Sequence, residues 1–525
     1  MHTTGLRSGC VLQVCLVLFV SEYGVAQETG KEVQSMKTLF HNEDCTEIFW
    51  TQPPIPAGEA GAVIDRYVDQ TLDSGVTVFL CNTNARRTNY QSQVWDSFWD
   101  GYDPAGPDNQ PFLAPMPPQD VPAFRKGIGN MLAVHQQGID YPARVIQRCR
   151  QRGVSPWITL RMNDCHNNDI LDHPFHGTFW QKNPQFFRQG CTGYFARCLD
   201  YAHPEVRDYY KALIVETLER YDIDGLELDF MREPYLFSAG KEAEGAPILT
   251  AWLREVRKLT ADTAAKRGHP IRLGVRVPSR PETASAMGLD AVGWAKDGLI
   301  DLLVVTPRWA TLEFDMPLEQ WRELLGSSRV TLTGGLEILY RPWPGAPATP
   351  VSPELATGAA VSVLSRGADA VYLFNYFHPT GAWSSIRQAM TSLDSLLKLP
   401  RRVGVTYRDI TAPGEKYSAP LPATGTALAF SVWIGPVTPN AGRCDVFCEV
   451  APPKDATKTL PAVQVNGQGT ELLNEETVKD GGSVLSFTVP VAALAPAAAQ
   501  DIRISCDGAA PVTVRRLELL YVPSP

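Results

Sequence analysis

Between residues 45 and 399 the chain alternates strand-like and helix-like segments, and that alternation leaves few folds open. Short apolar or alternating runs bounded by turn residues read as strands, and longer amphipathic runs between them as helices. The expected strands are Glu47–Thr51, Val76–Cys81, Trp157–Asn163, an acidic run within Asp224–Arg232, Ile271–Val277, Leu302–Thr306, Val330–Ile338 and Ala370–Tyr376. Helices are expected over Gly58–Gly75, Tyr141–Arg152, Pro204–Tyr221, Ile248–Arg267, Glu282–Lys296, Leu318–Leu325, Pro353–Arg366 and Ser384–Leu399. Eight β/α units close a (β/α)8 TIM barrel, an α/β fold that often exceeds about 250 residues when loops are inserted. A doubly wound open sheet competes with it, but no glycine-rich phosphate loop opens the first units.

From Pro400 onward the texture changes. Alternating stretches such as Ala427–Trp433, Cys444–Val450, Val484–Val489, Ile502–Cys506 and Val512–Tyr521 are separated by Pro, Gly and Asn. They predict a C-terminal antiparallel β-sandwich over 400–525, either binding carbohydrate or packing as a cap on the barrel. At the other end, Met1–Ala26 reads as an export signal: Arg7, an apolar stretch from Gly9 to Val20, then the small-x-small site Gly24-Val25-Ala26. The stretch is short for a membrane span, which takes about 20 residues, so a secreted or periplasmic protein without stable membrane insertion is expected. Residues 27–44 are then a linker.

A net charge of -9 with no basic run argues against nucleic acid as a partner. Of the 11 cysteines, Cys10 and Cys15 fall in the signal, which leaves an odd number and at least one unpaired thiol. Cys191 and Cys198 share a loop and could bridge; Cys444, Cys448 and Cys506 share the C-terminal region. Buried free thiols are the alternative.

The acidic strand carries the chemistry. Asp224-Gly225-Leu226-Glu227-Leu228-Asp229-Phe230-Met231-Arg232 sets Glu227 and Asp229 on one face and Leu226, Leu228 and Phe230 on the other. Two inward carboxylates are costly to bury unless solvated, paired or used, and glycosidic cleavage needs such a pair. Asp229 lies nearer the strand end, where barrel active sites form. Glu227 is a second catalytic candidate, or it forms a salt bridge with Arg161 or Arg276. Asp224, at the opposite end, reads as a turn residue.

Other strand ends add inward polar groups: Arg161 and Asn163 with Asp164 on strand three, Arg276 on five, Glu337 on seven, Asn375 and Tyr376 on eight. Glu337 is the candidate partner acid. Glu282 follows Pro281 at a helix start, where an acid suits the macrodipole in any case. Trp95 and Trp99 in the second loop and Trp309 after strand six are candidate sugar-stacking rings, though a loop Trp is often a packing anchor. Asp164, His166, Asp169, His173 and His176 crowd the third loop, yet no H-x-H or H-E-x-x-H spacing occurs. His166 is therefore a candidate substrate contact, and neither a metal nor a cofactor is expected.

On the run at 224–232, with Arg161-Met162-Asn163-Asp164, Arg276-Val277-Pro278-Ser279 and Gly335-Leu336-Glu337, the chain resembles secreted glycoside-hydrolase-like TIM barrels. The fourth strand is also similar to the D-G-x-D-x-D-x-E signature of family 18 chitinases at Asp224, Gly225 and Asp229. That family's acid falls on Met231 here, so its mechanism does not carry over. Retaining barrels of the cellulase–galactosidase superfamily place carboxylates on strands four and seven, which would match Asp229 or Glu227 with Glu337; their usual Asn-Glu is absent. The expected function is hydrolysis of a polysaccharide or oligosaccharide. A non-catalytic carbohydrate-binding barrel and a metal-dependent hydrolase built on the third loop are the alternatives.

Overall fold

Eight parallel strands close on themselves in the computed structural model, which describes residues 38–376, 382–438, 441–452, 460–506 and 511–524. They are β1 (Leu39–Glu43), β2 (Val78–Asn82), β3 (Ser155–Arg161), β4 (Gly225–Asp229), β5 (Arg272–Pro278), β6 (Leu302–Thr306), β7 (Thr331–Leu336) and β8 (Ala370–Phe374). Each pairs with the next in sequence, and β1 closes the ring against β8. The expected export signal lies outside the described residues. No helix among the described residues is long and apolar enough to cross a membrane.

The first strand is not where the sequence placed it. Glu47–Thr51 is a short helix, and the strand is Leu39–Glu43 within the expected linker. Glu47–Thr51 contains β-prone Ile, Phe, Trp and Thr, which misleads over so short a run. The Asp44 carboxylate turns the chain there, accepting from the Thr46 N–H and hydroxyl at 2.7 Å each. Leu39–Glu43 escapes notice because His41, Asn42 and Glu43 interrupt its apolar pattern. His41 and Glu43 are nonetheless buried and bonded to one another at 3.0 Å.

Strand parity otherwise follows the sequence. Leu226, Leu228, Ile158 and Leu160 join the core between barrel and helices, whereas Phe40, Val78, Leu80, Trp157, Leu302, Val304, Ala370, Tyr372 and Phe374 form a separate cluster. Trp157 anchors it. A Cβ at Gly225 would sit 2.3 Å from the Trp157 ring, and one at Gly274 would sit 3.2 Å away. Glycine at 225 thus makes room for the indole, whose roughly 200 Å² of buried surface contributes about 5 kcal/mol in transfer terms.

The C-terminal strands are β9 (Arg401–Gly404), β10 (Ala423–Gly425), β11 (Ala427–Val432), β12 (Arg443–Val450), β13 (Ala462–Val465), β14 (Gln468–Gly469), β15 (Glu471–Thr477), β16 (Ser483–Val489), β17 (Gln500–Ser505) and β18 (Val512–Val522). One antiparallel sheet runs β9-β18-β12-β16-β15 with β10 beside β18, and the other runs β11-β17-β13-β14. Buried Leu485, Phe487 and Val489 alternate with partly exposed neighbours, as in a half-buried sandwich strand. The connection from β9 to β10 lies against the barrel. The Asp409 carboxylate accepts from the backbone N–H groups of Arg308 (3.3 Å), Trp309 (3.1 Å) and Ala310 (2.8 Å). Tyr235 donates to the Thr411 carbonyl at 3.0 Å, and Tyr340 donates to buried Glu518 at 2.6 Å.

Candidate active site

At the C-terminal ends of the strands, register places Thr159 beside Glu227, and Arg161 and Arg276 on either side of Asp229. Asp229 is fully buried and ion-paired to Arg276, whose Nη1 lies 2.9 and 3.2 Å from its two oxygens; the Met231 N–H donates to it at 2.9 Å. Arg276 in turn lies over the Phe374 ring at 3.7 Å.

Glu227 takes neither expected salt bridge. Tyr372 donates to it at 2.8 Å, Thr159 at 3.1 Å and Asn42 at 3.4 Å. Burial, followed by the charge of Asp229, pushes its pKa up to about 8. Arg161 is committed elsewhere, to Asp44 at 2.6 Å and Asp164 at 3.2 Å.

Glu337 is buried with one oxygen accepting from the Ile338 N–H at 3.3 Å and the other, Oε2, without a partner among the described residues. Burial pushes its pKa up to about 8 despite the opposing fields of Arg276 and Arg232. A carboxyl so placed is protonated at neutral pH. Tyr376 lies behind it, its hydroxyl donating to the Glu337 carbonyl at 3.0 Å.

Above these groups opens a cleft of about 350 Å³ lined by His166, Tyr194, Arg232, Arg308 and Trp309. His166 and Tyr194 follow β3, Arg232 follows β4, and Arg308 and Trp309 follow β6. His166 Nδ1 lies 2.8 Å from Asp164. Burial works against ionisation of Asp164, but His166 and Arg161 hold its carboxyl well below the usual range. Arg308 is paired with the buried Glu233, while Tyr194 and Trp309 are exposed.

The remaining candidates scatter. Asn163 is a loop tie, bonded to the backbone of Leu199 (2.8 and 2.9 Å) and Tyr235 (3.2 Å). Asn375 adopts a left-handed φ of 57°, and its buried Oδ1 is unpartnered among the described residues. Glu282 is exposed in the first turn of a short helix, Pro281–Ala286, outside the cleft lining.

Trp95 and Trp99 are corrected to packing positions. Trp95 is buried, stacks on Tyr209 at 4.2 Å and donates to its carbonyl at 3.1 Å. Trp99 stacks on His135 at 5.0 Å beside a separate groove on the barrel flank. Both rings fill space between loop and helices, the commoner fate of a loop indole.

The crowded third loop is also built for structure. Both nitrogens of His176 face backbone carbonyls, of Leu171 at 3.0 Å and His166 at 2.9 Å, and Phe175 donates its N–H to His173 at 3.2 Å. Among the described residues no group of three His, Cys, Asp or Glu is arranged to hold a metal. Cys198 faces Cys165 rather than its expected partner Cys191, with the sulfurs 2.8 Å apart.

Arg232, Arg308, Tyr194 and Asp409 escaped the sequence reading. Arg232 closes the acidic motif and Arg308 precedes Trp309, so adjacency could have flagged both. Nothing local connects Asp409 to this face.

Residues 121–246, which include β3 and β4, match the family model described as glycosyl hydrolase-like 10, and this stretch fits a distant glycoside-hydrolase-like family. A search of curated proteins finds no match. Among solved structures, the chain aligns with a cycloisomaltooligosaccharide glucanotransferase from Paenibacillus sp. at 8% identity and TM-score 0.33. That alignment covers 92% of this chain and 57% of the other, so the chain spans little more than half of that protein. A noncanonic maltogenic alpha-amylase from Thermotoga neapolitana aligns at 9% identity and TM-score 0.37, over 88% of this chain and 98% of the other. An alpha-L-fucosidase from Vibrio sp. strain EJY3 aligns at 12% identity and TM-score 0.35, over 92% and 96%.

Proposed function

We propose that this chain is an exported glycoside hydrolase acting on an oligosaccharide or polysaccharide, with Glu337 as general acid and Asp229 as base or nucleophile. The observation that carries the reading is the contrast between the two carboxyls at the strand ends. Glu337 has an oxygen unpartnered among the described residues, and burial pushes its pKa up to about 8, which favours a proton it can give to the glycosidic oxygen. Asp229, ion-paired to Arg276, is set to attack the anomeric carbon or to take a proton from water. Trp309, exposed at the cleft, offers a face for a pyranose ring. Export is supported by the charged start, apolar stretch and small-x-small site before Gln27.

The reading requires side chains to move, because both carboxyls are closed off from solvent. Arg232 acts on Glu337 from the cleft lining, so a sugar entering there meets Arg232 before it meets the carboxyl. That same closure favours a second reading, a barrel that binds carbohydrate without cleaving it. Incubating the protein with a panel of neutral and acidic glycans, and following both binding and new reducing ends, separates the two. Hydrolysis that disappears in folded Asp229→Asn and Glu337→Gln proteins is the expected result. Binding with no hydrolysis of any bound glycan would replace the enzyme reading with the second one.

A further inference from the structure

Among the described residues Arg232, at the wall of the cleft, is a cation without a dedicated counter-ion. It is 4% exposed, and its Nε has no hydrogen-bond partner among the described residues. Among the described residues the guanidinium's one hydrogen-bond contact is His166 Nε2, at 3.4 Å. The other arginines here are answered: Arg161 by Asp44 and Asp164, Arg276 by Asp229, Arg308 by Glu233. Asp44, Asp164 and Glu337 feel the field of Arg232. However, Asp44 is bonded to Arg161 and Thr46, Asp164 to Arg161 and His166, and Glu337 leaves Oε2 unpaired. A buried guanidinium normally meets an anion in bidentate fashion, and here the open side is the cleft.

Resting on the glycoside hydrolase reading, we propose that the cleft selects an acidic sugar, with Arg232 receiving its carboxylate or sulfate group. Arg232 is a specificity residue in this scheme. His166, held by Asp164 through Nδ1, keeps Nε2 beside the Arg232 guanidinium and orients it, and Trp309 stacks on the ring that carries the acidic group. Arg308 stays with Glu233 and does not discriminate.

The test compares each acidic probe with its own uncharged form by calorimetry on the full chain. Galacturonate and hyaluronan oligosaccharides are set against their methyl esters, and a carrageenan oligosaccharide against its desulfated form. At least one acidic form should bind about 10-fold or more tightly than its uncharged counterpart, with the advantage shrinking as salt rises. The sources separate by whether the uronates or the sulfated probe show the advantage. Arg232→Gln should abolish the difference by weakening the acidic form about 10-fold, with Arg232→Lys between them. The inference is overturned if no acidic probe outbinds its uncharged form, a result needing no variant, or if the advantage survives in Arg232→Gln. Hydrolysis of neutral glycans without acid preference would end this inference and leave the enzyme reading standing; acid preference without hydrolysis would do the reverse.

A second inference rests on different residues. The Cys165 and Cys198 sulfurs lie side by side at 2.8 Å, both side chains fully buried, immediately before His166 and four residues beyond Tyr194. We infer that in the exported protein these thiols are joined as a disulfide tying together the two segments that carry His166 and Tyr194. A low-molecular-weight disulfide is the oxidant: the two cysteines give up two protons and two electrons, and the oxidant leaves as two thiols. Protein isolated from an oxidising compartment should gain the mass of two hydrogens on reduction, and a non-reduced digest should contain the linked 165–198 peptides. Alkylation of both cysteines in denatured, unreduced protein, or linkage of Cys198 to Cys191, would overturn it.

Discussion

Glu337 and Asp229 receive opposite treatment from the same barrel end. One is buried with an oxygen unpartnered among the described residues; the other is held by a guanidinium. Asp229→Asn and Glu337→Gln should each lower turnover by at least about 100-fold while the circular dichroism spectrum is retained. Near-normal turnover in folded Asp229→Asn would remove it from the mechanism. The raised acids also set a stability profile. Glu43, Glu227, Glu313 and Glu337 are each pushed from 4.5 to about 8, with burial the largest cause. Between those values the folded state holds protons that the unfolded chain has released, so stability falls as pH rises. The contribution is fully present below about pH 4.5 and is lost as pH rises through about 8. Melting temperatures should therefore decline across that window, and less steeply in Glu337→Gln. An equally steep decline in that variant would show that Glu337 is not protonated in the folded protein.

Two contacts decide how elements carry these residues. The indole of Trp157 takes the volume that a side chain at Gly225 would need. Gly225→Ala should therefore cost about 1–3 kcal/mol in denaturant unfolding, the usual range for overpacking. No loss would mean that Trp157 can move aside without penalty. The second contact is the triple acceptance by Asp409 at the loop that follows β6. That loop presents Arg308 and Trp309 to the cleft, so Asp409→Ala should raise KM several-fold with little change in kcat. Asp409→Asn, which keeps an acceptor oxygen, should lie between. A fall in kcat at constant KM would place Asp409 in the chemistry instead.

At the scale of the molecule, the barrel and the C-terminal sheets share buried polar contacts that neither could satisfy alone. Tyr340 reaches buried Glu518, which Arg402 also meets, and Tyr235 reaches the Thr411 carbonyl. Ending the chain at Leu399 would strip Tyr340 of its acceptor and the Arg308–Ala310 backbone of Asp409. The shortened chain should be far less stable or insoluble, whereas the full chain should unfold in one calorimetric transition. Independent melting of the shortened barrel at the full chain's temperature would show that the C-terminal sheets contribute nothing to it.

Local pattern was enough for the β/α alternation, the change of texture at Pro400, and the parity of Thr159, Arg161, Glu227, Asp229, Arg276 and Glu337. Each depends only on the period of a strand or helix, which is written in neighbouring residues. It failed at β1, where buried His41, Asn42 and Glu43 mimic a loop and a five-residue helix mimics a strand. It also could not separate the indole of Trp309, open to the cleft, from those of Trp95 and Trp99, buried against Tyr209 and His135. Which inward acid meets a guanidinium and which is left protonated depends on β5 and β8 reaching β4, contacts between residues about 50 to 150 apart. Arg232 without a counter-ion among the described residues, Cys198 facing Cys165, and Asp409 pinning a loop about 100 residues earlier are likewise properties of tertiary proximity. Charge, burial and pairing are set by what lies across space, so only the closed barrel and the sheets against it decided them.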